Sequence, residues 1–136
     1  MLVAIKIPAS VVCLISALAF HDMTTQVPHA VDISLPRGSE PPRLDHPPTR
    51  HYWFTGKAMT EGIETHTLDK TPVRIYSPEK TLADCFKYRN KIGLDIAIEA
   101  LRLYLQHKRF QVDKITHYAA ICRVNKVMRP YLEAML

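Results

Sequence analysis

The chain has 136 residues, of which 47% are hydrophobic and 23% charged. That is enough for one compact domain with its own core, too short for two, and far from the composition of a disordered protein. The formal net charge of +5 is unevenly placed. Residues 1–69 carry five Lys or Arg against seven Asp or Glu, and residues 70–136 carry thirteen against six, giving net charges of −2 and +7. A basic half of this kind serves either as solvated helix faces or as a surface for nucleic acid or an acidic partner.

Residues 1–20 (MLVAIKIPASVVCLISALAF) have a lysine, an apolar stretch and a small-residue Ala17-Leu18-Ala19 segment, as a secretory leader would. The Ile7-Pro8 break and the internal Ser10 and Ser16 argue against a leader, and the stretch is too short to span a bilayer. It reads instead as a core helix opened by Pro8-Ala9-Ser10 and running to about Phe20. Cys13, Cys85 and Cys122 are odd in number and widely spaced, so neither a disulfide framework nor a Cys-x-x-Cys metal pair is legible. A reduced, cytoplasmic protein with buried thiols is expected.

Val31 to Leu35 alternate apolar and polar residues, the mark of a half-buried strand. The segment 36–48 (PRGSEPPRLDHPP) has five prolines and should be an exposed loop, at the length where loops are functional or mobile. A strand at 50–54 (RHYWF) stops at Gly56. Residues 63–68 and 71–76 form an antiparallel hairpin about Asp69-Lys70, with Pro72 confined to a strand start or an edge. Four strands without intervening helices predict an antiparallel or mixed sheet.

From Ser77 the apolar period becomes helical. Ser77 is a suitable N-cap, Pro78 a suitable first residue, and Glu79 complements the helix dipole. This helix carries Leu82, Cys85 and Phe86 on one side and ends between Asn90 and Gly93. A second helix over 94–107 presents Leu94, Ala97, Ile98, Leu101, Tyr104 and Leu105 as one apolar face. Asp113 is expected to cap a third helix with Ile115, Tyr118, Ala119 and Cys122. A last helix over 127–136 would accommodate Pro130 in its first turn. The predicted fold class is α+β: an N-terminal helix, a small antiparallel or mixed sheet of about four strands, and a helical C-terminal half.

Catalytic motifs are not apparent. The seven histidines show no His-x-x-x-His or His-Glu-x-x-His spacing, and His21-Asp22 has no accompanying reactive serine or cysteine motif. None of the four glycines sits in a phosphate-loop pattern. Asp69-Lys70 and Glu79-Lys80 are explained by a turn and a helix entry rather than by a nuclease site. Tyr52-Trp53-Phe54 could stack on single-stranded bases, but in an alternating strand one of the three must face away from its neighbours, and core packing competes for the rest. No cofactor or metal site is expected, and the chain reads as a non-enzyme.

Residues 76–95 (YSPEKTLADCFKYRNKIGLD) resemble the signature of the AbiEi family of antitoxins from type IV toxin-antitoxin systems. Residues 12–18 (VCLISAL) with 35–38 (LPRG) are similar to the family's first helix and first strand ending, and 99–102 (EALR) and 128–133 (MRPYLE) also fit. The likeness covers almost the whole of 1–136 as a single antitoxin domain. The family's usual N-terminal winged helix would precede this start. The resemblance implies an antitoxin that opposes a nucleotidyltransferase-like toxin in abortive infection, generally without a stable complex, and that regulates its own transcription when full-length. No catalytic residues carry over, and no membrane association is implied. An alternative is a DNA-binding regulator that contacts operator DNA through the basic half. Lys87, Arg89, Lys91, Arg102, Lys108 and Arg109 are the candidate functional surface, with solvated outer helix faces as the competing explanation.

Overall fold

A computed structural model describes residues 9–41 and 47–136. The expectations for residues 1–8 and for the middle of the proline-rich segment, 42–46, lie outside the described residues. The elements are β1 (Val11–Val12), α1 (Leu14–Phe20), β2 (Val31–Pro36), β3 (Thr49–Phe54), α2 (Lys57–Thr60), β4 (Ile63–Leu68) and β5 (Thr71–Tyr76). They are followed by α3 (Pro78–Lys87), α4 (Arg89–Ile92), α5 (Leu94–Leu105), α6 (Val112–Ile121) and α7 (Asn125–Met135). The class is α+β, as expected, with a mixed sheet that holds five strands rather than four.

The additional strand is β1, and it moves the start of the expected N-terminal helix from about Ser10 to Leu14. Val11 and Val12 are β-branched and sit in the middle of the sheet order β3-β2-β1-β5-β4, antiparallel to β2 and parallel to β5. Both are buried, one in each of two apolar clusters, so the segment shows no polar alternation to announce a strand. The Cys13 amide donates to the Asp32 carbonyl (3.0 Å), and the helix starts only at Leu14, whose φ is +46°.

The segment between β2 and β3 has a structural reason for its length. These strands run parallel, in register from Val31 against Thr49 to Pro36 against Phe54, and a parallel pair needs a connection of about a dozen residues. Residues 37–48 supply it. Trp53 Nε1 donates to the Ser39 carbonyl (2.9 Å), tying the strand to its own crossover. β4 and β5 form the expected hairpin, with Asp69 and Lys70 both at positive φ (50° and 65°) in the two-residue turn. Pro72 is the second residue of β5, away from Ile75, where β1 pairs.

Helix α3 is the centre of the molecule. It packs against α1, α5, α6 and α7, and every residue from Glu79 to Phe86 is buried. Burial on all sides, rather than on one apolar stripe, places Lys80 and Asp84 inside, where Nζ meets Oδ2 at 2.7 Å. Ser77 caps this helix by accepting from the Lys80 amide (3.2 Å), with Pro78 at the first position, as expected.

Gly93, at φ +102°, breaks α4 from α5. On α5, Ala97, Ala100, Leu101 and Tyr104 are buried, whereas Leu94 is 38% exposed. Two cap expectations need correction. Gln111, not Asp113, precedes α6, and Asp113 lies in the first turn as a dipole-matched acid. α7 starts at Asn125, so Pro130 is inside the helix rather than in its first turn. Proline has no amide to donate to the carbonyl of Lys126, four residues earlier, which is an exposed residue.

Candidate functional site

A cleft of about 720 Å3 opens where the β3–α2 turn meets the end of α3, the start of α4 and the α6–α7 joint. Four cationic side chains line it: Lys57, Lys87, Arg89 and Arg123. Each comes from a helix end or the turn beside one.

Gly56, at φ +54° and ψ −136°, adopts a conformation open to glycine and turns the chain from β3 into α2, so that Lys57 follows directly. Tyr76 of β5 holds α2 in place, because its hydroxyl donates to the Met59 carbonyl (2.6 Å) and contacts Ser34 Oγ (3.1 Å). Burial pushes the Tyr76 phenol well above its usual range, so it stays a neutral donor. Lys87 ends α3 and Arg89 begins α4. The Arg89 guanidinium donates through Nη1 to the Phe86 carbonyl (2.8 Å), leaving the rest of its five N–H donors for a ligand.

Arg123 follows α6 with φ +59°. Its amide donates to the Ala120 carbonyl (3.1 Å), and the Val124 amide donates to the Ala119 carbonyl (2.9 Å). These are the two bonds of a Schellman helix stop, in which Arg123 occupies the left-handed position normally given to glycine.

Among the described residues no carboxylate lines the cleft, and none of the four cations is in an ion pair. The negative ends of α3 and α6 meet here and offset part of the repulsion, by a few tenths to about 1 kcal/mol for each cation near a helix C-terminus. Between the cations the wall is apolar, formed by Ala58, Ile121, Val124 and Val127.

Cys122 forms part of the wall, and its thiol contacts Asp84 Oδ1 (3.4 Å). Burial, reinforced by the Asp84 charge, pushes the thiol up to about 12, so it remains protonated and donates. Asp84 is itself raised by burial, with Lys80 and Cys122 opposing the shift. Lys80 Nζ also lies 3.9 Å from the Tyr76 ring centroid and 5.0 Å from that of Phe54, a cation enclosed by aromatic faces. Cys13 and Cys85 are likewise raised by burial. The three thiols are therefore poor nucleophiles and poor metal ligands.

Of the six candidate surface residues, the structure brings together Lys87 and Arg89 in the cleft. Lys91 stands apart, with Nζ 5.8 and 5.9 Å from the Tyr52 and Tyr88 ring centroids. Arg102, Lys108 and Arg109 are exposed on α5 and the turn after it, and do not line the cleft. Lys57 and Arg123 escaped the sequence reading. Gly56 before Lys57 was a visible signal, but nothing in the sequence marks Arg123, because a helix stop without glycine has no signature.

The aromatic triplet divides as alternation requires. Phe54 is buried, Tyr52 packs edge-on to Tyr88 at 5.6 Å, and Trp53 faces the opposite side at 39% exposure. His21 contacts the Tyr76 carbonyl through Nε2 (2.8 Å), which accounts for its position structurally. Among the described residues, no group of three or more His, Cys, Asp or Glu is placed to hold a metal ion. No helix of the described residues is long and apolar enough to cross a membrane. No family model matches the chain, and no curated protein matches it.

Proposed function

We propose that this chain is a non-enzymatic, cytoplasmic antitoxin of the type IV kind, opposing a nucleotidyltransferase-like toxin through its cationic cleft. The observation that carries the reading is the set Lys57, Lys87, Arg89 and Arg123 around one cavity that no carboxylate of the described residues lines. A nucleotidyltransferase handles nucleotides and nucleic acid, which are polyanions. A protein that opposes such an enzyme without a stable complex has to act on what the enzyme handles, and uncompensated cations suit that task. The resemblance of residues 76–95 to the AbiEi signature supplies the antitoxin assignment, and transcriptional autoregulation belongs to the full-length form of such proteins.

The test is co-expression with the cognate toxin. Lys87→Glu/Arg89→Glu/Arg123→Glu should abolish protection while the purified variant retains the helical circular dichroism of the parent. Undiminished rescue by the triple variant refutes the role of the cleft.

The second reading, a regulator that binds operator DNA, is favoured by the exposed Arg102, Lys108 and Arg109, which lie in the +7 half but outside the cleft. It predicts a gel shift of upstream DNA that weakens steeply with salt, through release of counterions. It also predicts that reversing these three charges removes the shift while leaving protection intact.

A further inference from the structure

We infer that the cleft is a binding site for the phosphate chain of a nucleotide, whether a free nucleoside polyphosphate or the phosphorylated end of an RNA strand. The inference deepens the proposed function and rests on the cleft being the working surface.

Size comes first. Small-molecule sites commonly occupy about 300–1,000 Å3, and the cleft, at about 720 Å3, has room for a whole nucleotide. Charge comes second. Two arginines and two lysines face one cavity, and none of them is in an ion pair among the described residues. A single phosphate is satisfied by one or two such groups, so four cations suit a chain of phosphates. The planar guanidiniums of Arg89 and Arg123 can each grip two oxygens, and the lysines act as point charges.

The third observation is where Arg123 sits. Residue 123 is held at φ +59° by a helix stop that glycine fits without strain. An arginine there pays for the left-handed backbone with only a weak attraction to the negative end of α6 in return, and it lines the same cavity as Lys57 of the β3–α2 turn. A strained non-glycine residue on the wall of a cavity is the kind of outlier that accompanies ligand binding. Last, Ile121, Val124 and Val127 give the same cavity an apolar wall. A wall of that kind suits a base or a ribose face and would be wasted on inorganic anions.

Isothermal titration of the full chain tests the site with five probes: ATP, AMP, adenosine, and two ten-nucleotide RNAs, one bearing a 5′-triphosphate and one a 5′-hydroxyl. The expected order is ATP at least tenfold tighter than AMP, with adenosine silent. Lys87→Gln and Arg123→Gln should each weaken ATP binding at least fivefold, whereas Lys70→Gln, on the β4–β5 turn, should leave it unchanged. A 5′-triphosphate RNA that binds at least tenfold tighter than both its 5′-hydroxyl counterpart and ATP identifies the strand end as the source. ATP that binds as tightly as the RNA identifies the free nucleotide.

Two results overturn the site. One is the absence of heat for every phosphorylated probe at about 1 mM, where an affinity worth roughly 4 kcal/mol would register. The other is equal affinity in parent and in variants with unchanged melting. A protein that binds ATP through Lys87 and Arg123 yet fails to protect toxin-expressing cells overturns the antitoxin proposal and leaves the site standing. Protection without nucleotide binding does the reverse.

Discussion

Replacing Arg123 by glycine separates the two reasons a residue can occupy a helix stop. The left-handed conformation at φ +59° costs a side-chain-bearing residue about 1–2 kcal/mol, and glycine removes that strain. Against this, glycine loses roughly 0.5–1 kcal/mol more backbone entropy on folding. The cation's attraction to the negative end of α6, about 0.3–1 kcal/mol, is also lost. Relief of repulsion from Lys57, Lys87 and Arg89 returns a few tenths, since surface charges are well screened.

These contributions nearly cancel, so Arg123→Gly should change stability by less than about 1 kcal/mol. For a chain of this size that is no more than about 3–5 °C in Tm. Nucleotide affinity, by contrast, should fall at least fivefold, because glycine cannot reach the cavity. The paired assays are thermal unfolding followed by far-UV circular dichroism and ATP titration of the same preparation. A loss of 2 kcal/mol or more, on the scale of a buried packing defect, would show that Arg123 holds the α6–α7 joint together, and the functional argument from its strained position would fail.

Three further outcomes follow from the interior. Lys80→Met leaves the Asp84 carboxylate buried without its 2.7 Å partner and should cost about 3–5 kcal/mol in urea unfolding, whereas Lys80→Met with Asp84→Leu should recover most of it; equal losses in the two variants would refute a pairing penalty. Asp32 is 1% exposed and its carboxyl is raised from 3.8 by burial, against the opposing pull of Arg50 and Ser16. A folded-state pKa above the unfolded one means the native state holds its proton longer, so this contribution is fully present below pH 3.8 and is lost as pH rises through the folded value. Asp32→Asn should therefore abolish that component of the slope of stability against pH, and an unaltered slope would contradict it. Gly62 has φ +81°, and an added Cβ would lie 2.6 Å from Lys80 Cβ on the central helix. Gly62→Ala should accordingly cost at least about 2 kcal/mol, measured as a lowered urea midpoint; a midpoint within error of the parent would mean that α3 shifts more easily than its all-round burial suggests.

The parts of the molecule that were legible in advance are those whose cause is local. Ser77-Pro78-Glu79 announces the start of α3, Asp69-Lys70 the hairpin, and Gly93 a break, because each acts through its own backbone and the groups within one turn. What stayed hidden is set by distant pairing. Val11-Val12 has the composition of either a buried helix turn or a buried strand, and only the partners β2 and β5, about twenty and sixty residues further on, decide between them. The proline-rich stretch read as a functional or mobile loop, and its role in joining a parallel pair stayed hidden because that depends on the direction of β3.

The cleft is hidden for the same reason. Lys57, Lys87, Arg89 and Arg123 converge only when α2 is pinned by Tyr76 and α6 has packed on α3. The charge asymmetry of the chain pointed to the right half and could not point to the right face, since Lys57 comes from the half with a net charge of −2. A search confined to the basic half cannot reach Lys57, and the candidate set drawn from that half holds Lys87 and Arg89 but not Arg123, beside Lys91, Arg102, Lys108 and Arg109, which do not line the cleft. Reversing Arg102, Lys108 and Arg109 and reversing the cleft residues changes the net charge by similar amounts. A difference between the two variants in nucleotide binding or in protection would consequently report geometry, not overall charge.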